Sequence, residues 1–239
     1  MNKTIIEGMI GEPLPYLLRS DGMVTSLMFI CLAIVSLALS KEQKYLYHQL
    51  KSFMSSRERA SMFDDSTITD IRYIIVLLLN TCVLLGLTTY FYLSETLPEL
   101  FTIVSHGYLL FGFIACSIIL LFVKWLVYKS VNWIFFQKNR NLIWLNTYVN
   151  VMIWLGLLLF PVVLLIVYFD LSLQTSFYFI GIIIIFAKIA LFCKCLNNFF
   201  GKVYGLVHLI LYFCALEILP DLIVWKGIEI VSNNLILNI

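Results

Sequence analysis

The sequence predicts an all-α fold, a polytopic membrane helical bundle, and three observations carry that expectation. First, 62% of the 239 residues are hydrophobic and 13% are charged, with a mean hydropathy of +0.96. A soluble domain holds about 45–50% apolar and about 25% charged residues, so the apolar excess here must face lipid. Second, the apolar residues gather into six segments long enough to cross hydrocarbon, which takes about 20 helical residues. Third, those segments are continuous and lack period-two alternation, which favours helices over a barrel.

In order, the expected spans are 23–40, 73–93, 101–124, 148–169, 175–194 and 203–224. The first is the weakest, being short and holding Thr25, Ser26 and Ser36. The third is expected to open on a T-x-x-E capping box at Thr96 and Glu99, with Pro98 in its first turn. Residues 1–22 set Glu7, Glu12 and Asp21 against Lys3 and Arg19, so no secretory leader is expected there. The six cysteines lie in or beside apolar segments, where thiols act as small hydrophobes and a disulfide framework is not expected.

The basic residues orient the bundle. Thirteen of the sixteen fall in three connections: Lys41 to Arg72, Lys124 to Arg140, and Lys188 to Lys202. The intervening loops hold Glu95, Glu99 and Asp170 and no basic residue. The positive-inside rule then places the three basic connections in the cytoplasm. The expected location is a bacterial inner membrane, with both termini on the periplasmic side.

The chain reads as a single transmembrane domain over 1–239, with amphipathic cytoplasmic connections at about 41–63 and 125–145. In the first, Tyr45, Leu46, Leu50, Phe53 and Met54 recur at helical spacing among Lys44, His48, Lys51 and Arg57, as in a helix lying on a membrane surface. In the second, Trp125, Trp133 and Trp144 are read as interfacial anchors. The segment FVKWLVYKSVNWIFF from Phe122 resembles FAKIALFCKCLNNFF from Phe186. That match pairs Lys124 with Lys188 and, allowing one inserted residue, Lys129 with Lys194 and Asn132 with Asn197. A duplication of this kind would give three stacked out-in-out hairpins.

Ionisable residues inside a span are functional candidates, since placing one there costs about 2.5–3.5 kcal/mol on insertion scales. His106, Lys188, His208 and Glu217 qualify, with Asn80 and Thr81 as the main neutral polar pair. Glu217 leads them, because Pro220 three residues later disrupts the backbone beside it and should free the carbonyl of Leu216. A carboxylate there could bind a proton, a cation or a lipid headgroup; alternatively it pairs with a neighbour and only fixes packing. Lys188 has two placements, reaching Glu217 or snorkelling to the inner interface, and the repeat favours snorkelling. His208 lies nine residues before Glu217, half a turn out of phase, and should face away from it. His106 sits near the outer interface, where it either approaches Glu217 or serves as an interfacial side chain.

Other motifs are weak. Cys193 and Cys195 form C-x-C with no further ligand set, so no metal is expected. Gly201 and Gly205 form a GxxxG at the edge of the sixth span. No phosphate loop, dinucleotide fingerprint or hydrolase elbow occurs, so no cofactor is expected. The basic connections suit lipid headgroups and not nucleic acid.

The ending Leu209 to Gly227 resembles the close of a Bacteroidota membrane family, domain of unknown function 4271. Leu211, Tyr212, Cys214, Leu216, Glu217, Ile218, Pro220 and Lys226 carry the likeness, and Asp221 departs from it by standing where an apolar residue belongs. The Lys188-to-Asn197 stretch and HGYLLF at His106 extend it. The resemblance implies a six-helix inner-membrane protein and implies no activity.

The functional expectation is a non-enzymatic scaffold or accessory subunit of an envelope assembly, with membrane lipids and a protein within the membrane as partners. The outer loops are too short for a substrate domain. The alternatives are a small transporter or channel using Glu217, and a membrane-embedded lipid-modifying enzyme using His106 and Glu217.

Overall fold

In the computed structural model the described residues are 21–41, 68–98, 101, 104–135, 138–169, 171–199 and 206–237. Their elements are helices throughout. We label them α1 (Gly22–Lys41), α2 (Ile68–Thr96), α3 (His106–Phe135), α4 (Lys138–Phe169), α5 (Leu173–Phe199), α6 (Leu206–Phe213) and α7 (Leu219–Leu237). A π-helical turn, Cys214–Ile218, joins α6 to α7. α1 to α5 each contain a stretch long and apolar enough to cross a membrane. The sixth helical run, 206–237, is continuous but divided by the π-turn.

Short connections make α2 to α5 and the sixth run consecutively antiparallel, and α1 begins at the same end as α3, where Met23 lies against Gly107. One end of the bundle, called upper here, carries Gly22, Thr96, His106, Phe169 and Leu173; the lower end carries Lys41, Phe135, Lys138 and Phe199. α2 packs against both α3 and α4, α4 packs against α5, and α1 leans on α2. The sixth run meets α3 and α5.

Small residues let the central helices approach closely, as membrane packing requires. At Gly156 of α4 an added Cβ would lie 2.0 Å from the Thr81 hydroxyl of α2. Thr81 is fully buried and donates to Leu77 O at 3.0 Å and Met152 O at 3.2 Å. At Gly86 a Cβ would meet the Ile114 backbone of α3 at 2.8 Å. The core around these contacts includes Leu84, Tyr90, Leu110, Tyr128, Trp144 and Leu159. The outward faces of α3 and α5 expose Phe111, Ile119, Phe122, Ile182, Phe186 and Ile189, as lipid contact demands.

Several boundaries differ from expectation. α3 opens at His106, not near residue 101. The Thr96 hydroxyl donates back to Tyr92 O at 2.9 Å, and Glu99 of the expected capping box lies outside the described residues. Residues 125–135 complete α3 and 138–145 begin α4, so this stretch is two helix ends and not a separate surface-lying connection. The reason is burial. Tyr128, Asn132 and Trp144 point into the bundle, and Trp144 meets Tyr128 edge-on at 5.6 Å instead of anchoring at an interface. Trp133 is exposed, and Trp125 carries the Lys129 ammonium 4.9 Å from its ring. The connection at 41–63 lies almost wholly outside the described residues, as do Gly201 and Gly205.

Candidate functional site

The site grows from one local irregularity. Pro220 has no N–H to donate and would clash with the carbonyl four residues back. The chain resolves this by widening one turn: the Leu219 N–H donates to the carbonyl of Cys214, five residues back. The widened turn carries Glu217, which is buried on the face meeting α3 and α5.

Four charged side chains converge there. Lys124 of α3 donates to the Glu217 carboxylate at 3.2 Å and to its backbone carbonyl at 3.1 Å. The Lys188 ammonium of α5 meets the same carboxylate oxygen, Oε1. Asp221, one turn up the sixth run, receives Lys124 on Oδ1 at 2.8 Å and Lys188 on Oδ2 at 2.8 Å. Two ammonium groups thus face two carboxylates, and the quartet is formally neutral. Tyr128 completes Glu217 by donating to Oε2 at 3.0 Å.

Burial is graded across the quartet. Glu217 is 0% and Lys124 2% exposed, whereas Lys188 is 25% and Asp221 38% exposed. Lys124 lies 18 residues below His106, about 27 Å at a rise of about 1.5 Å per residue. Lys188 lies 15 residues below Leu173, about 22 Å by the same rise. The quartet therefore sits below the middle of the bundle. Isolated charges at this depth would be prohibitive, and mutual pairing is what permits them.

The candidates from sequence separate cleanly. Glu217, Pro220 and Lys188 come together, so Lys188 does not snorkel: its depth lets it reach the π-turn directly. His106 stands at the upper end of α3, its ring 5.8 Å from Phe101, about 27 Å along the helix from Lys124. It takes no part in the quartet. His208 lies on α6, and its side chain falls outside the described residues. Beside the proline, the Lys124 ammonium engages the carbonyl of Glu217. Lys124, Asp221 and Tyr128 were not among the sequence candidates. Their signals were present: Lys124 aligns with Lys188 in the repeated segments, and Asp221 follows Glu217 by four residues, hence on the same helical face.

Beneath Glu217 lies an aromatic cluster. Tyr128 packs 5.1 Å from Tyr148 and 6.2 Å from Tyr212, and Tyr212 donates to Asn132 Oδ1 at 2.5 Å. Among the described residues no group of three or more His, Cys, Asp or Glu could hold a metal ion. All six cysteines are free thiols.

The model of a family described as Domain of unknown function (DUF4271) matches residues 24–228. The chain belongs to this family. The match runs from α1 through the quartet to the residues just past Trp225, so every side chain of the site lies inside the DUF4271 region. No curated protein and no solved structure matches the chain. The family and the five apolar helices describe a multi-pass membrane protein.

Proposed function

We propose that this DUF4271 protein is a non-enzymatic scaffold or accessory subunit of an envelope assembly in a bacterial inner membrane. In this reading both termini are periplasmic, the basic lower end faces the cytoplasm, and the partners are membrane lipids and a protein within the membrane. The observation that supports it is the state of Glu217, whose two oxygens are occupied by two lysines and a tyrosine of its own chain. A carboxylate held this way ties α3, α5 and the sixth run together as a clamp. α7 adds a surface to offer: Leu222, Ile223, Ile230 and Val231 are all exposed, so apolar side chains ring the helix.

The lipid-enzyme alternative lacks support from the geometry, because His106 and Glu217 are far apart. The test of the scaffold reading is the native mass of the protein extracted from its own membranes in mild detergent. A particle larger than the 27.7 kDa chain, holding a second polypeptide at fixed ratio, is expected. A bare chain at every detergent concentration would defeat it.

A further inference from the structure

The polar groups of the site do not end at the quartet. Asp221 and Lys188 keep part of their surface exposed. Trp225, one turn above Asp221, meets Tyr92 of α2 at 5.2 Å, one turn short of the upper end of that helix. Downward, Glu217 leads to Tyr128, then to Tyr148 and Tyr212, then to Asn132. Asn132 is 26 residues below His106, about 39 Å along α3 and close to its lower end. In a bundle with a mostly apolar core, the contacts from Asp221 and Lys188 through Glu217 and Tyr128 to Asn132 form one file that reaches toward the lower end.

Two members of the file are incomplete. The Tyr148 hydroxyl and the Asn132 side-chain amide nitrogen are buried and make no hydrogen bond among the described residues. Tyr148 is 2% and Asn132 0% exposed. A buried polar atom left so costs about 1–3 kcal/mol, and ordered water is the usual partner of such groups. Both belong to the aromatic cluster beneath the buried carboxylate, Tyr148 packed 5.1 Å from Tyr128 and Asn132 accepting from Tyr212, and each is a group that water would complete.

We propose that this file is a proton relay, with Glu217 as its buried proton-binding group, loaded from the upper side through Asp221 and Lys188 and discharged downward through Tyr128 to water held by Tyr148 and Asn132. The ligand is the proton. This goes beyond the scaffold reading and does not depend on it. A proton from above adds to an Asp221 carboxylate oxygen. Lys188 gives one Nζ proton to Glu217 Oε1 and takes the proton from Asp221. Asp221 is again a carboxylate, Lys188 again an ammonium, and Glu217 is neutral. The neutral Glu217 carboxyl group then turns its proton from the lysine side toward Tyr128, whose hydroxyl turns from Oε2 to the adjoining water; Tyr128 gives its own proton to that water as it takes the one from Glu217, and both side chains turn back. One proton has moved, and each group ends as it began. Lys124 holds the Glu217 carbonyl throughout. The titratable groups around Glu217 are Lys124, Tyr128, Tyr148, Lys188 and Asp221, with Cys82 beside Tyr148 and Cys195 beside Tyr212.

The experiment uses the full chain in liposomes with a trapped pH dye and a potassium diffusion potential set by valinomycin. Wild-type vesicles are expected to take up protons faster than protein-free vesicles. Glu217→Gln should slow uptake about tenfold or more, a modest change in barrier. Tyr148→Phe should slow it several-fold. That change removes only a hydroxyl that bonds no described protein atom, so monodispersity and helix content should match wild type. Wild-type uptake at the protein-free rate, or either variant at the wild-type rate, would overturn the relay. Failure of the scaffold reading would show instead as a bare chain in the native-mass measurement.

Discussion

Lys124 grips Glu217 twice, at the carboxylate and at the backbone carbonyl of the same residue. A lysine that bonds both main chain and side chain of a π-turn fixes the turn in place as well as neutralising its charge. Removing it leaves a buried carboxylate short of one cation and a carbonyl short of its donor. Loss of one partner from a buried ion pair typically costs about 3–5 kcal/mol. Lys124→Met should lower thermal stability in detergent by that order. Adding Glu217→Gln to it should recover part of the loss, because the uncompensated charge is gone. A double variant no more stable than the single would mean that Lys124 acts through packing alone.

Glu217 itself separates charge from shape. In Glu217→Gln the amide oxygen takes the Oε1 place and still accepts from the lysines, the NH2 takes the Oε2 place and donates to the Tyr128 oxygen, and Asp221 still pairs with both lysines. The cost of this change in unfolding should be about 1–2 kcal/mol, that of weakened charge-assisted hydrogen bonds. Glu217→Leu leaves Tyr128 and two ammonium groups underpaired and should cost about 3–5 kcal/mol, or prevent accumulation. Equal thermal stability of the two variants would sink this ranking.

How much of this was legible in the sequence depends on the kind of signal. The six apolar runs follow from composition, because lipid demands about 20 apolar residues per span and nothing else in the chain competes. The lower ends of α3 and α4 did not follow. Lys124, Trp125, Lys129, Trp133, Lys138 and Trp144 have the composition of an interface, and only the fold shows Tyr128, Asn132 and Trp144 turned inward. Pro220 pointed to a disturbed backbone beside Glu217. The disturbance is a π-turn, which α-helical counting does not contain, and Lys124 reaches the Glu217 carbonyl within it. Asp221 looked like a departure from a pattern, and it is the second anion that two lysines require. Lys188 was placed by the repeat at the interface, yet the same repeat aligned it with Lys124, which shares its carboxylates.

Close packing of α2 on α4 gives a prediction independent of charge. At Gly156 even a methyl group would fall 2.0 Å from the Thr81 hydroxyl. Gly156→Ala should therefore push the helices apart or break the Thr81 bond to Met152 O, at about 1–3 kcal/mol. Gly181, whose added Cβ would meet nothing within 4 Å, is the control. Gly181→Ala should be neutral or slightly stabilising in a helix interior. Thermal unfolding of the two variants side by side decides it, and equal effects would contradict the contact.

Orientation can be tested from the chain's two faces. Glu95 lies near the upper end of α2, and Glu58 lies in the basic 41–72 connection. With the lower end in the cytoplasm, a cysteine replacing Glu95 should react with an impermeant maleimide added to intact cells, and one replacing Glu58 should react only after lysis. The native cysteines lie within helices and supply the background, measured in the unmodified chain. The physical basis is the asymmetry of lysine and arginine, which resists translocation of short basic connections. Labelling of the Glu58 position from outside would invert the bundle, and with it the side from which Asp221 and Lys188 are reached. The proton-loading face of the proposed relay would then change sides without any change in its residues.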